Sequence, residues 1–247
     1  MILRRIKAHV EKENWFAVFL DFCIVVIGVF VGLQVQAWAQ EQDRKRQEAV
    51  YVLRLYDEVA DLQSVRQPLL EVRERIYANL LSATPVFLGE TDRSLTEAEC
   101  DSIAMSSVIT NPTDDLATLI ELQQTGGLAL FRDENVLSAI RTYLLTRTRA
   151  RDVHDGVVRS VDDLIPDHPM VIQPTSETDL SKLLSGFFVC DLTAMREDNG
   201  FTNTAYWNAA NYKAHIEFNR TVTESLEDLR QALEAFTKKT HQRESTR

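Results

Sequence analysis

Residues 15–38 read WFAVFLDFCIVVIGVFVGLQVQAW, and the organisation of the remaining chain follows from this run. Between Phe16 and Leu33 every residue except Asp21 is apolar or glycine. Twenty-four helical residues span roughly 36 Å, which exceeds a hydrocarbon core of about 30 Å. Trp15 and Trp38 stand at the two ends, where aromatic side chains favour the membrane interface. The run therefore predicts one transmembrane helix.

A cleaved signal peptide is the alternative interpretation of the same residues, because a basic start and an apolar run precede the small-x-small triplet Ala37-Trp38-Ala39. Two features argue against it. The apolar run is longer than a signal-peptide core, and Gln34, Gln36 and a tryptophan make an awkward cleavage region. The sequence favours an uncleaved anchor.

The orientation of the anchor depends on the charges that flank it. Basic residues are equal in number on the two sides: Arg4, Arg5, Lys7 and Lys12 before it, and Arg44, Lys45, Arg46 and Arg54 after it. The positive-inside rule alone does not decide between the two orientations. A free N-terminus would add one positive charge to the short basic flank, residues 1–14. We therefore expect the N-terminus inside the cytoplasm and the main domain outside it.

Two stretches resemble a bacterial family of single-pass membrane proteins of unknown function. In the anchor, Asp21 opens an apolar run that ends in Val26-Ile27-Gly28 and is followed by Leu33-Gln34-Val35 and Trp38. Farther along, Leu119–Tyr143 is similar to a later motif of that family. The resemblance supports the membrane anchor and the helical class. With the orientation expected from the flanking charges, the anchor of a bacterial protein would lie in the inner membrane and its domain in the periplasm. The resemblance implies no catalytic residue.

The composition narrows the possible functions. Only 8 glycines and 6 prolines occur in 247 residues, which favours long helices over many short strands. The net charge is −10, and the part after the anchor carries about −11. So acidic a domain is a poor electrostatic partner for nucleic acid. We therefore expect no nucleic-acid binding.

Apolar residues recur at helical spacing throughout the domain. Pro68 is expected to kink or divide the first helix. Ser94-Leu95-Thr96-Glu97 fits a capping box, and Gly126-Gly127 is expected to end the helix that begins at Asn111-Pro112. The other predicted helices are Gln40–Ala83, a helix from Ser94 to about Val108, Asp133–Pro166, Leu180–Leu184 and Asn203–Lys239.

These amphipathic helices can bury their apolar stripes only against one another. The expected fold is all-α, with one N-terminal transmembrane helix followed by an antiparallel helical bundle. The bundle domain is expected at residues 39–240, and residues 241–247 are expected to form a disordered tail.

Three residues of the anchor are candidates for contact with another membrane helix. Asp21 is the one ionisable residue within the apolar run, and such residues are often functional. Its alternative role is a tolerated carboxylate near the headgroups, because it lies only six residues after Trp15. Gly28 and Gly32 form a small-xxx-small pair that lets two helices approach closely, or they simply face lipid.

The three cysteines leave one plausible pairing. Cys23 lies in the predicted membrane helix, so Cys100 and Cys190 are the only pair that a single chain can bring together. A disulfide between them would fit an oxidising compartment. Two separate thiols are the alternative.

The densest aromatic and amide cluster lies between Phe201 and Tyr212. Tyr206, Trp207 and Tyr212 are candidates for a partner surface, or they pack at the start of the last helix. The sequence contains no nucleophile elbow, phosphate-binding glycine loop or paired histidine motif. We therefore expect no catalytic site, no cofactor and no metal. His154 and His168 lie near aspartates, but without the spacing of metal ligands.

These observations predict a non-catalytic interaction protein. Its expected partners are the lipid bilayer and another membrane or envelope protein, or a second copy of itself, and it could serve as an accessory subunit of a membrane complex. The alternative hypothesis is a ligand-sensing module, because helical bundles bind small molecules between their helices and a partner protein could carry the signal.

Overall fold

The computed structural model describes residues 15–110, 113–175 and 186–245, with side chains described from residue 19 to residue 238 within those ranges. The chain forms two compact units, Met1–Val50 and Tyr51–Arg247. The described residues are predominantly helical, so the prediction of an all-α fold is confirmed.

Seven α-helices lie in the described residues: α1 (Trp15–Phe87), α2 (Glu97–Ala104), α3 (Ala117–Thr125), α4 (Glu134–Val158), α5 (Leu164–Asp167), α6 (Leu192–Glu197) and α7 (Asn199–Ser245). A 3-10 helix at Gly127–Leu130 follows α3, and two short strands, β1 (Ile172–Pro174) and β2 (Phe188–Cys190), pair antiparallel. The helix predicted at Leu180–Leu184 lies outside the described residues.

The first unit contains the N-terminal part of α1. Among the described residues, α1 is the one helix long and apolar enough to cross a membrane. Every large apolar side chain from Phe19 to Trp38 is exposed. A continuous apolar surface of this kind is normally covered by lipid or by another protein.

Pro68 does not divide α1. The helix continues through Pro68 and Pro85 to Phe87, although a proline within a helix removes one backbone hydrogen bond. Leu62 and Leu70, on either side of Pro68, are both buried. Burial of the same helix face before and after the proline compensates for the lost hydrogen bond.

In the second unit, contacts between α1 and α7 run in opposite directions along the two helices. Gln63 Nε2 donates to Glu227 Oε2 at 2.8 Å, while Arg220 Nη2 donates to Glu74 Oε1 at 2.7 Å. Their apolar faces belong to two buried clusters. One cluster includes Leu55, Leu119, Ile140, Tyr143, Leu226 and Leu233, and the other includes Leu80, Phe87, Ile103, Leu164, Phe201 and Ile216.

The capping box of α2 lies two residues beyond the predicted one. Thr96 Oγ1 accepts from Glu99 N at 3.2 Å, and Glu99 Oε2 accepts from Thr96 N at 2.9 Å. Arg93 also binds both Glu99 oxygens, at 2.6 and 2.7 Å, which fixes Glu99 rather than Glu97 in the box. The helix ends at Ala104, before the predicted Val108.

Two predicted boundaries around α3 and α4 are confirmed. Gly126, with φ of 72°, ends α3 in a conformation that favours glycine, and Asp133 caps α4 by accepting from Asn135 N and Val136 N. The end of α4 at Val158 differs from the predicted Pro166. The buried Asn208 side chain binds both main-chain groups of Asp162 and holds this segment away from the helix axis.

The last helix is longer than predicted. Asp198 Oδ1 accepts from Phe201 N at 2.9 Å at the start of α7, so the helix begins at Asn199 rather than Asn203. It continues to Ser245 and includes most of the stretch expected to be a disordered tail. Residues 246 and 247 lie outside the described residues.

No pattern in the sequence predicts the β1–β2 hairpin. The buried carboxylate of Asp101, on α2, holds it: Oδ1 accepts from Phe188 N at 3.0 Å and Oδ2 accepts from Gly186 N at 2.8 Å. A disulfide joins Cys100 to Cys190, which pairs with Ile172 in the hairpin. Two adjacent residues of α2 therefore hold the hairpin, Cys100 by a disulfide and Asp101 by hydrogen bonds.

Candidate functional site

Two neighbouring aromatic side chains project from α7. Tyr206 is 56% exposed and Trp207 is 54% exposed. The indole of Trp207 is nevertheless fixed, because Nε1 donates to Ser160 O at 2.9 Å, just beyond the end of α4. An aromatic side chain that is both exposed and held in place loses little conformational entropy when a partner covers it.

Two aspartates follow closely in sequence after Ser160, the residue that Trp207 binds. Asn208, next to Trp207, is buried and binds the main chain of Asp162 through Oδ1 at 3.2 Å and Nδ2 at 2.8 Å. Asp162 and Asp163 are themselves exposed. We call Tyr206, Trp207, Asp162 and Asp163 the Trp207 surface. It combines an aromatic centre with a negative edge.

Tyr212 does not belong to the Trp207 surface, which corrects the sequence-based prediction. Its side chain is only 2% exposed, and its ring centroid lies 6.2 Å from that of His215. Burial raises the pKa of Tyr212 to about 12. Tyr212 lies six positions after Tyr206, which places the two side chains on different sides of a helix with 3.6 residues per turn.

Two buried arginines on α1 lie under the segment that joins α2 to α3. Arg66 is 4% exposed and Arg73 is 7% exposed. Arg66 Nη1 donates to Thr113 O at 2.6 Å, and Arg73 Nη2 donates to Thr110 Oγ1 at 2.6 Å. Both guanidinium groups also donate to Asn219 of α7. Arg66 Nη2 donates to the main-chain oxygen of Asn219 at 3.0 Å, and Arg73 Nη1 donates to the side-chain Oδ1 of Asn219 at 3.1 Å.

Two histidines complete this group. His215, one turn before Asn219 on α7, is 2% exposed, and its ring centroid lies 5.6 Å from that of the buried His154 on α4. Burial, with the nearby charge of Arg73 adding to it, lowers the pKa of His215 to about 3. Burial also lowers the pKa of His154. We call Arg66, Arg73, His154 and His215 the buried arginine–histidine cluster.

The two arginines of the cluster lack a carboxylate partner. No carboxylate oxygen of the described residues lies within 4.0 Å of either guanidinium group. Burial lowers the pKa of both arginines, since desolvation disfavours the charged form. The cluster therefore holds two positive charges whose hydrogen bonds end on neutral oxygens.

The nearest buried carboxylate is engaged elsewhere. Asp114 accepts hydrogen bonds from Arg151 Nε and Nη2, and its Oδ1 lies 3.6 Å from Arg147 Nε. Arg147 and Arg151 also pair with the exposed Asp115, at 2.7 and 3.0 Å. These aspartates therefore pair directly with Arg147 and Arg151, and the charge of Asp114 reaches Arg66 only at longer range, where it offsets part of the effect of burial on the pKa of Arg66.

Sequence reasoning missed the two buried arginines because charged residues usually lie on the exposed face of a helix. A signal for them was present in the spacing. Arg66 and Arg73 are seven residues apart. Both fit the spacing of three or four residues between Leu62 and Ile76, so they occupy positions that apolar residues occupy elsewhere on this face of the helix. Leu69, by contrast, is exposed although it lies between the two arginines at an apolar spacing from Leu62 and Ile76.

The other predicted residues lie as follows. In the first unit, Asp21 and Trp38 are exposed on α1, and a Cβ atom added to Gly28 or Gly32 would meet nothing within 4 Å. Trp15 begins α1, but its side chain lies outside the described ones. In the second unit, Cys100 and Cys190 are bonded to each other.

The described ranges contain no group of three or more His, Cys, Asp or Glu side chains placed to hold a metal ion. No family model, curated protein or solved structure matches this chain.

Proposed function

We propose that this chain is a non-catalytic, single-pass membrane protein whose domain, an antiparallel helical bundle, binds another protein of the cell envelope through the Trp207 surface. The observation that carries the proposal is the indole of Trp207, which is more than half exposed yet fixed by its hydrogen bond to Ser160 O. Tryptophan and tyrosine are the residue types most enriched at the energetic centres of protein interfaces.

The charge of the domain indicates the chemistry of this partner. Residues 51–247 contain 31 acidic and 20 basic side chains, a net charge of −11, and two of the basic ones are the buried Arg66 and Arg73. Asp162 and Asp163 bring negative charge to the edge of the Trp207 surface. The partner therefore presents an apolar pocket for the indole and basic side chains around it.

The anchor and the disulfide support the cellular location. The exposed apolar part of α1 would cross the inner membrane, with Trp15 and Trp38 at its interfaces and Asp21, Gly28 and Gly32 available to a neighbouring helix. A disulfide persists in an oxidising compartment, which favours a periplasmic domain and a cytoplasmic N-terminus. This orientation agrees with the one expected from the N-terminal charge.

Site-specific crosslinking in intact cells tests the proposal. A photoreactive amino acid replaces Tyr206 in the full-length protein, and in a matched control it replaces Leu145, which is 53% exposed on α4. We expect a discrete crosslinked product at position 206 and none at position 145. The double variant D162K/D163K should abolish the product at position 206, because it reverses the charge that attracts a basic partner.

Two outcomes would contradict the proposal. One is the absence of any product at position 206, and the other is the same set of products at positions 206 and 145. If the product persists unchanged in D162K/D163K, a partner does bind at the Trp207 surface, but the proposal that this partner is basic is wrong.

A ligand-sensing domain is the second candidate function, and the buried arginine–histidine cluster favours it. Interaction proteins do not need two buried arginines without a carboxylate in direct contact, and burying such charges costs stability. A ligand that supplies the missing negative charge would account for them.

A further inference from the structure

We propose that the buried arginine–histidine cluster is a binding site for a small dianion, with inorganic phosphate as its simplest representative. The proposal is independent of the Trp207 surface, which lies in a different part of α7. Three properties of the four side chains, which lie on three helices, support this site: their charge, their hydrogen bonding and their position.

The charge of the cluster is the first argument. Arg66 and Arg73 are both more than nine-tenths buried, and no described carboxylate pairs with either of them. A buried charge is costly unless an opposite charge compensates it. One bound dianion would neutralise both guanidinium groups.

The hydrogen bonding of the cluster is the second argument. The two guanidinium groups converge on one residue, since Asn219 Oδ1 lies 3.1 Å from Arg73 Nη1 and 3.5 Å from Arg66 Nη2. Two buried nitrogens have no partner within the described residues: Arg66 Nε and His154 Nδ1. Buried polar atoms are rarely left unpaired, and each one calls for an explanation. Arg66 Nε always carries a proton that an oxyanion oxygen can accept, and His154 Nδ1 is a donor when its ring proton is on Nδ1.

The position of the cluster is the third argument. Both arginines end beneath the α2–α3 segment, where Arg73 contacts Thr110 and Arg66 contacts Thr113. Thr110 and Thr113 are themselves exposed. The two guanidinium groups therefore lie directly beneath exposed residues and not in the middle of the apolar core.

Phosphate, sulfate and dicarboxylates share this chemistry, and a binding experiment separates them. Full-length protein in detergent is titrated with sodium phosphate, sodium sulfate or sodium succinate at constant ionic strength, with sodium chloride as the balancing salt. The readouts are the thermal unfolding midpoint and the heat of binding. We expect a saturable rise in the midpoint with at least one dianion, because a ligand that binds only the folded state stabilises it. Chloride alone should give no saturable rise.

Variants assign the effect to the cluster. R66Q and R73Q each remove one cation, and loss of a charge-assisted hydrogen bond should weaken dianion binding by about tenfold or more. R73K keeps the charge without the planar fork and should weaken binding less than R73Q does. R220Q is the matched control, because Arg220 is an exposed arginine on α7 that pairs with Glu74; it should bind as the wild type does.

The result that would overturn the proposal is a wild-type protein with no saturable response to phosphate, sulfate or succinate. Equal binding by wild type, R66Q and R73Q would overturn it as well. Circular dichroism shows whether the variants fold; if R66Q and R73Q do not, the comparison of the wild type with R73K and R220Q assigns the site, and equal binding by these three proteins would overturn the proposal. Selective binding of succinate would assign the site to dicarboxylates, and selective binding of phosphate to phosphate compounds.

Discussion

At the scale of single residues, neighbours in sequence have opposite environments. The side chain of Asp114 is fully buried and binds Arg151, whereas 58% of the side chain of Asp115 is exposed. A hydrogen bond from Tyr143 Oη to Asp114 O, 2.6 Å long, fixes the same residue through its main chain. Composition alone cannot separate two adjacent aspartates, because only the packing of α4 against the α2–α3 segment distinguishes them.

The substitution D114N should therefore lower the free energy of unfolding by about 3 kcal/mol, since it leaves two arginines without their buried partner. The matched substitution D115N should cost less than about 1 kcal/mol, because that carboxylate is already largely solvated. Urea unfolding of the full-length protein in detergent, followed by circular dichroism, measures both. Equal effects of the two substitutions would show that Asp114 is not a buried partner.

The buried histidines should make stability depend on pH. His215 faces Arg73, Tyr212, Asn219 and His154, and its pKa in the folded state is lowered to about 3, against about 6.5 when unfolded. As pH falls below about 6.5, the unfolded state takes up a proton that the folded state does not, so stability decreases. Between pH 7 and pH 5 we expect a loss of about 2 kcal/mol from this residue.

Urea unfolding in phosphate-free buffers at several pH values measures this loss. H215Q removes the titrating group and should have a shallower pH dependence than the wild type over the same interval. A wild-type stability that stays constant from pH 7 to pH 5 would rule out neutral buried histidines, since few carboxylates titrate in that range.

At the scale of elements, the sequence correctly predicted the helix starts and ends that depend only on interactions between neighbouring residues. Asp133 and Gly126 were correctly assigned as helix signals, because capping and a positive φ depend on neighbouring residues alone. The continuation of α1 through Pro68 and the end of α4 at Val158 depend on tertiary contacts, and the sequence does not reveal those. The buried arginines belong to the same class, since their hydrogen-bond partners lie more than thirty residues away.

The hairpin shows this limit most clearly. Its strands have three residues each, too few for an alternating pattern to be recognised. Its position depends on Asp101 and Cys100, which precede β2 by more than eighty residues. The number and positions of the cysteines indicated Cys100 and Cys190 as a candidate pair. The sequence does not show that their bond would join α2 to a hairpin.

Loss of the disulfide should release this hairpin. The bond closes a loop with a sequence separation of 90, so C100A/C190A should lower the free energy of unfolding by about 2–5 kcal/mol. The variant C23A should have no such effect, because Cys23 is not disulfide-bonded. Limited proteolysis should cut C100A/C190A near Phe188 faster than the wild type or C23A. Equal stability and equal cleavage of all three proteins would contradict a structural role for the bond.

At the scale of the whole molecule, an apolar N-terminal helix precedes an acidic helical domain that exposes Tyr206 and Trp207 on α7. The helix could be recognised from sequence because its apolar run is local and long. Its direction could not be, because the flanking basic residues are equal in number. The orientation therefore depends on the disulfide and on the N-terminal charge, and the envelope partner and the oxidising compartment both depend on the orientation.

A pair of topology reporters fused after Arg247 tests that central claim most directly. Alkaline phosphatase is active only outside the bacterial cytoplasm, and green fluorescent protein exported by the general secretory route is fluorescent only when it stays inside. The account predicts an active phosphatase fusion and a dark fluorescent fusion at equal expression. An inactive phosphatase fusion together with a bright fluorescent one would place the domain in the cytoplasm and contradict both the stable disulfide and the envelope partner.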